Sequence, residues 1–590
     1  MTGYLPPIDD IRFLIHKVIG LDAIAALPPY GETSAELVNA ILDEAGKFSS
    51  QILAPLNRIG DRQGVKLAIN GTVKTPDGWH TAYQHFVEGG WQGICASPDD
   101  GGMGLPLLVG AAVSEMWHSA NMAFALCPML TSGAIELLAR HATDDQKERF
   151  LSRMISGEWT GTMNLTEPQA GSDLSQIRTR AEPQGDGTYA IRGQKIFITY
   201  GDHDLTDNIV HLVLARTPDA PAGTRGISLF IVPKFRLNAD GNPGEHNDVR
   251  CVSLEHKLGI HGSPTAVLSF GDTDGATGYL VGTEGSGLAC MFTMMNNARL
   301  AVGQQGIAIS ERVFQQALDF AKTRKQGRDP RSGAECTILH HPDIHRMLMR
   351  IRSSTDAARA LALYAASRLD LAHHHPDGDT QNAAQAEADL LIPMVKSWST
   401  DLGVENASLG IQIHGGMGFI EETGAAQHLR DARIAPIYEG TNGIQALDLI
   451  GRKVLRDGGE ASRHLISKIT DDCAGFGVAH PDEAACVQKA IKQLDGATDH
   501  ILRTCPQDPV LMQAVASPYL RLFATCLGGW MMIRSLDALT TGEESSNFRD
   551  QKTASAKFFL RQILPETETT AQQIYNSTSD DFASPERVFG

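Results

Sequence analysis

Residues 433–445 read Arg-Ile-Ala-Pro-Ile-Tyr-Glu-Gly-Thr-Asn-Gly-Ile-Gln, and they set one carboxylate, Glu439, in a break between two helical patterns. Tyr438 precedes it and Gly440 follows. A glycine after the acid lets a ligand approach the backbone. Thr441 or Asn442 can cap the next helix and leave amide donors near the carboxylate. A carboxyl group in such a place suits a general base. A solvated Glu in a helix-to-helix connection satisfies the same pattern, so the loop needs partners elsewhere in the chain.

Several other stretches carry polar or aromatic groups in positions that would suit a cofactor. Residues 165–173, Leu-Thr-Glu-Pro-Gln-Ala-Gly-Ser-Asp, combine hydroxyls, a glycine and exposed amides, although a domain-joining turn has the same chemistry. In residues 195–199, Lys-Ile-Phe-Ile-Thr, the Phe197 ring can stack on a flat heterocycle and Thr199 can hydrogen-bond to it, while core packing is the plainer use of a strand Phe. Residues 255–263 form a Gly-punctuated hairpin pattern. Arg299, and the group Lys322, Arg324, Lys325 and Arg328, suit a diphosphate or a solvated helix end. Residues 412–419, Gln-Ile-His-Gly-Gly-Met-Gly-Phe, end a helix with glycines that either cap it or admit a nucleotide. The run His373-His374-His375 has no carboxylate or cysteine partner at ligand spacing, so no metal is expected.

These segments sit on a recognisable order of elements. Helical patterns dominate residues 1–158, including 11–19, 34–52 with Ser34 as cap, 107–122 and 134–139. About six short strands with turn signals follow in 159–284, which describes a β-sandwich or barrel domain. No GxGxxG follows a strand, which disfavours a dinucleotide-binding α/β domain. Long amphipathic patterns return in 285–456, the signature of a helical bundle, and a further helical region occupies 457–590. The expected fold is mainly α with a central β domain and an extra C-terminal helical domain.

Composition narrows the function classes. The 590 residues exceed one core and imply three or four domains. A net charge of −18 disfavours nucleic acid as a partner. The last region, from Gly451, has 15 Lys and Arg against 18 Asp and Glu, which argues against a DNA-associated flavoprotein with a C-terminal DNA-binding region. Nine scattered cysteines without a CxxC pair read as reduced thiols. No leader pattern or membrane-length apolar run is read, so a cytoplasmic protein without a membrane span is expected.

Taken together and in order, residues 165–173, 195–199, 257–263, 412–419 and 438–441 resemble the acyl-CoA dehydrogenase family over about residues 97–453. The wording of 295–300 and 438–445, with the long C-terminal region, looks most like its 3-methylmercaptopropionyl-CoA dehydrogenase branch. The resemblance implies an FAD enzyme that converts an acyl-CoA thioester to a trans-2-enoyl-CoA. Glu439 would remove the α-proton, and the β-hydrogen would leave as hydride to the flavin. It implies flavin or FAD contacts at Leu165, Thr166, Gly171, Ser172, Phe197, Thr199, Thr441 and Gly443, and, across a homodimer interface, at Arg324, Gln412, Gly415 and Gly416. Substrate contacts are implied at Ser172, Asn296, Arg299, Tyr438 and Gly440. Electron-transfer flavoprotein would be the acceptor; a long-chain acyl-CoA dehydrogenase and an oxygen-using acyl-CoA oxidase are the alternatives. Departures from the family pattern are Phe197 for a common Trp, Gly443 for a common Gln, His341-Pro342, and Asn296 for an acid. A minority of the family carries its base at the position of Ala298, which cannot abstract a proton.

Overall fold

The structure is a computed structural model that describes every residue except Met1, Thr2, Thr541, Glu543 and Ala583. The chain divides into two compact units, one of Lys47–Leu105 with Ala120–Ala298, the other of Met1–Gly46, Pro106–Ser119 and Arg299–Gly590. Two long helices contribute residues to both: α1 (Leu107–His141) and α2 (Gly287–Thr323). The sequence pattern breaks α1 at Met122, and the structure kinks it at Asn121, where φ is −158° and ψ 89°.

The first unit holds the β domain. Strands β1 (Trp159–Asn164), β2 (Arg180–Pro183), β3 (Tyr189–Thr199), β4 (Asn208–Ala215), β5 (Ser228–Pro233), β6 (Val249–Leu254), β7 (Thr265–Phe270) and β8 (Ala276–Val281) make one eight-stranded sheet. Its order is β6-β7-β3-β8-β5-β4-β1, with β2 on β3. Strands β4 and β5 are buried along their whole length, which explains their unbroken apolar runs. Ile191, Ile198, Val213, Phe230, Val232, Leu268 and Phe270 form the core behind the site. Burying each such side chain stabilises the unit by roughly 1.5–3 kcal/mol. The sheet has two strands more than the roughly six expected from the turn signals. Residues 255–263 do not pair as a hairpin; this irregular loop is tied by Lys257 Nζ donating to the Ser263 carbonyl at 2.8 Å.

The second unit is helical. Its elements are α3 (Pro342–His374), α4 (Gly378–His414), α5 (Ala425–Ala432), α6 (Asn442–Leu447), α7 (Glu460–Phe476), α8 (Pro481–Thr504), α9 (Pro509–Ala538), α10 (Ser546–Phe558) and α11 (Glu566–Asn576). Pro342 opens α3 with its φ preset and no N–H to satisfy. Asp377 caps α4, accepting from the Thr380 N–H. The C-terminal helices pack into this bundle: Trp530 of α9 meets Tyr364 of α3 edge-on at 5.1 Å, and Phe559 meets Trp398 of α4 at 6.4 Å. Fully buried Arg359 is held by Glu115 and Glu311, and Lys552 of α10 by Asp10 and Asp356. Removing one partner of such a pair leaves a buried charge and costs about 3–5 kcal/mol. Contrary to the sequence reading, α1 and α9 are long and apolar enough to span a membrane by length and composition. Their apolar windows are 83% and 61% buried within the fold, as core helices require.

Candidate active site

The carboxylate loop belongs to the helical unit. Helix α5 stops at Ala432, and α6 starts at Asn442 with Thr441 as its cap, its hydroxyl accepting from the Ile444 N–H at 3.2 Å. Between them Glu439 adopts φ +55°, a left-handed conformation that costs a non-glycine residue of order 1–3 kcal/mol. Gly440 follows at φ +81°, a conformation that strains any other residue, and a Cβ there would also press on Gln445 Nε2 at 2.7 Å. Two buried side chains hold this backbone. Gln445 Nε2 reaches the Glu439 and Gly440 carbonyls at 3.4 and 3.2 Å, and Lys396 Nζ donates to the Gly440 carbonyl at 2.8 Å.

The Glu439 side chain is half-buried, and among the described residues no donor hydrogen-bonds its carboxylate. Burial raises its pKa to about 7, against the pull of the Lys396 and Arg299 charges. Such a carboxyl is ionised near neutrality yet basic enough to take a proton. Arg299 lies buried in α2, paired with Asp448 at 3.4 Å. Tyr438 donates its hydroxyl to Gln305, which in turn meets buried His118 at 3.3 Å. Among the described residues no acceptor faces the backbone N–H of Glu439 or Gly440. These N–H groups can stabilise an oxygen on which charge develops.

The β unit has a candidate feature of its own at the end of β3. Ala266 pairs with Ile198 while Leu268 pairs with Lys195, so Ile196 and Phe197 together oppose Val267. This bulge re-aims the strand. Phe197 takes φ +61° and its ring is 59% exposed, although Ile198 beside it is fully buried. A strained, exposed aromatic ring on a rigid strand fits a flat heterocycle far better than it fits water. The loop of residues 165–173 lies against the same strand: the Ile196 N–H donates to the Thr166 carbonyl at 2.9 Å, and Lys195 Nζ to the Leu165 carbonyl at 3.0 Å. Buried Glu167 anchors the loop, pairing with Lys195 at 2.8 Å and accepting from Thr179 Oγ1 and the Arg178 and Thr179 N–H groups. Burial pushes the Glu167 carboxyl up, but these partners win and hold it at about 2; burial lowers Lys195 to about 8. Leu165, Thr166 and Thr199 are half-buried, and Gly171 and Ser172 are exposed.

The structure thus groups Leu165, Thr166, Phe197 and Thr199 in one unit, and Arg299, Tyr438, Glu439, Gly440 and Thr441 in the other. Asn296 is half-buried and one turn before Arg299 on α2. Gly443 is exposed in the first turn of α6. Arg324, Gln412, Gly415 and Gly416 are exposed at the ends of α2 and α4, which adjoin where Phe320 stacks on His414 at 4.6 Å. Among the described residues no hydrogen bond links them to the Glu439 loop. Ala298 is buried. The sequence reading missed Lys396, Gln445 and Gln305. For Lys396 a signal existed: it is the only Lys or Arg in α4, directly after Leu-Leu-Ile-Pro-Met-Val.

Family models for the acyl-CoA dehydrogenase N-terminal, middle and C-terminal domains match residues 39–158, 162–273 and 285–455, and one described as acetyl-CoA dehydrogenase C-terminal like matches 465–583. A 3-methylmercaptopropionyl-CoA dehydrogenase of Ruegeria pomeroyi is 49% identical over 95% of this chain and 96% of its own length. A butyryl-CoA dehydrogenase of Syntrophomonas wolfei is 35% identical over 100% of this chain and 99% of its own. The solved structure of Caenorhabditis elegans ACDH-11 in complex with C11-CoA shares the fold, with a TM-score of 0.78 and 23% identity, over 100% of this chain and 96% of that one. The chain therefore belongs to the acyl-CoA dehydrogenase family and is an FAD-dependent acyl-CoA dehydrogenase.

Proposed function

We propose that this dehydrogenase acts on 3-(methylthio)propanoyl-CoA, with Glu439 as the base that removes the α-proton. The observation that carries the assignment of the base is a carboxylate with no hydrogen-bond donor among the described residues, held in a left-handed backbone conformation and pushed by burial above the ordinary carboxylate range. An α C–H beside a thioester is a weak acid, so its removal needs both a base of raised pKa and charge stabilisation at the thioester oxygen. Glu439 supplies the first, and the unpartnered N–H groups of Glu439 and Gly440 suit the second. Bound FAD supplies the acceptor for the β-hydride, and Phe197, Thr166 and Thr199 are the residues that would hold its ring system. Gly171, Ser172, Thr441 and Gly443 complete the proposed FAD contacts, and Ser172, Asn296, Arg299, Tyr438 and Gly440 face the substrate.

The substrate assignment rests on the 49% identical relative, whose name carries that thioester. A panel of acyl-CoA thioesters tests it. The methylthio-propanoyl ester should give the highest kcat/KM, and a tenfold preference for butyryl-CoA or a long-chain ester would overturn it. Electron-transfer flavoprotein is the proposed acceptor. The extra C-terminal helices also occur in oxidases, and peroxide formed in step with substrate loss in air would instead favour that reading. A homodimer is proposed from the exposed Met417, Phe419 and Ile420 beside Gly415 and Gly416, an apolar cluster that a second copy would cover. Sedimentation at a single protomer mass would contradict it.

A further inference from the structure

Lys396 is fully buried in α4, and its ammonium is spent on the base loop rather than on the base. Its Nζ donates to the Gly440 carbonyl at 2.8 Å and to Asn442 Oδ1 at 2.9 Å. Asn442 passes the restraint back to α4, its Nδ2 donating to Asp401 Oδ1 at 2.7 Å and to the Ser397 carbonyl and Thr400 Oγ1 at 3.1 Å. The loop backbone is thereby clamped on one side. In a trans peptide the N–H points opposite to the C=O. With the carbonyls of Glu439 and Gly440 drawn inward to Gln445 and Lys396, the N–H groups of Gly440 and Thr441 are turned away from these donors.

We propose that Lys396, together with Asn442, is a positioning residue for proton abstraction: it holds the left-handed Glu439–Gly440 backbone in place while keeping its own positive charge near, but not bonded to, the Glu439 carboxylate. The inference rests on Glu439 being the base. The charge has a direct consequence. Burial lowers Lys396 to about 7, against the attraction of Glu439 and Asp401, and the same ammonium holds Glu439 below where burial alone would put it. The other charged groups facing this cluster are Arg299 of α2 with its partner Asp448, which also pairs with Arg452, and the Glu405–Arg521 pair beside Asp401. None of these donates to the Glu439 carboxylate.

The test uses full-length, FAD-loaded enzyme and anaerobic flavin reduction by acyl-CoA from pH 5.5 to 9. Expressed per bound flavin, Lys396→Met should reduce flavin at least about tenfold more slowly at pH 7, with KM within about threefold. Its half-maximal pH should rise by about one unit, because the base has lost a neighbouring cation. Lys396→Arg should keep the wild-type midpoint. Asn442→Ala should slow reduction and move the midpoint by less than Lys396→Met does, since the lysine itself stays in place. A readout independent of turnover is the carboxyl 13C resonance of Glu439 in glutamate-labelled protein, identified by its loss in Glu439→Gln; it should titrate higher in Lys396→Met. If Lys396→Met keeps the wild-type rate per flavin and midpoint, or loses only melting temperature and flavin content, Lys396 is merely structural and the inference fails. Should Lys396→Met not fold, an Asn442→Ala rate equal to wild type overturns the positioning role. Glu439→Gln separates the two readings: reduction at the wild-type rate in that variant overturns the base itself, whereas a dead Glu439→Gln beside unaltered Lys396 and Asn442 variants overturns only this inference.

Discussion

Each unit of the molecule pairs a buried lysine with a glutamate, and the two pairs do opposite things. In the β unit, Lys195 and Glu167 touch at 2.8 Å and four further protein donors, on Gln169, Arg178 and Thr179, converge on the carboxylate. In the helical unit, Lys396 donates its hydrogen bonds to Gly440 and Asn442, and among the described residues no donor reaches the Glu439 carboxylate. One carboxylate is held at about 2 and the other rises to about 7. Burial raises Glu439 against two cations that do not bond to it, whereas at Glu167 the touching Lys195 charge and the donors together outweigh burial. A carboxylate that accepts several bonds is a fastener; a buried one that accepts none is free for the role of base proposed for Glu439.

The comparison can be broken most directly by removing each carboxylate. Glu439→Gln should cut the rate of flavin reduction by about 10³–10⁴-fold while the protein still folds and holds FAD. Glu167→Gln should do the reverse. It leaves Lys195 buried without its partner and destabilises the fold by about 3–5 kcal/mol, read as a lower urea midpoint and loss of FAD.

Stability against pH should sharpen the contrast, because the signs are opposite. Glu167 has a folded pKa below its ordinary value of 4.5, so its contribution is present above pH 4.5 and is lost as the pH falls toward 2. Glu439 has a folded pKa above 4.5, so the fold is penalised as the pH rises from 4.5 through 7, and the penalty is full above 7. Glu439→Gln should therefore be more stable than the wild type at pH 8, by roughly 1–2 kcal/mol once solvent screening is allowed for, and equal to it at pH 4.5. Equal denaturation midpoints at pH 8 would count against the raised pKa. The smallest effect concerns the exposed ring. Phe197→Ala should weaken FAD binding by about tenfold, since an aromatic contact contributes roughly 0.5–1.5 kcal/mol, while hardly changing the urea midpoint of the apoprotein.

Much of this was legible in the chain. The helical, β and helical order, the Glu439 loop with its Thr441 cap, and the polar segment at 165–173 all rest on local signals such as turn residues, capping and periodicity. What escaped depends on partners distant in sequence. The bulge that exposes Phe197 is set by the register of β7 against β3, which no single strand encodes. Lys396 reads as one cation in an apolar run, and its role emerges only when α4 packs against a loop more than forty residues later. Gln445 looked like an ordinary residue of α6 until its amide was found on the Glu439 and Gly440 carbonyls. The packing of α9 on α3 and α4 was likewise hidden, because an apolar helix does not name the surface that covers it.

The central claim is that Glu439 is a carboxylate kept free of hydrogen bonds so that it titrates near neutrality. Its own carboxyl carbon reports this most directly, through 13C NMR of glutamate-labelled enzyme titrated from pH 4 to 9, with Glu439→Gln identifying the resonance. The account predicts a midpoint near 7. A midpoint at or below the ordinary glutamate value of 4.5 would contradict it.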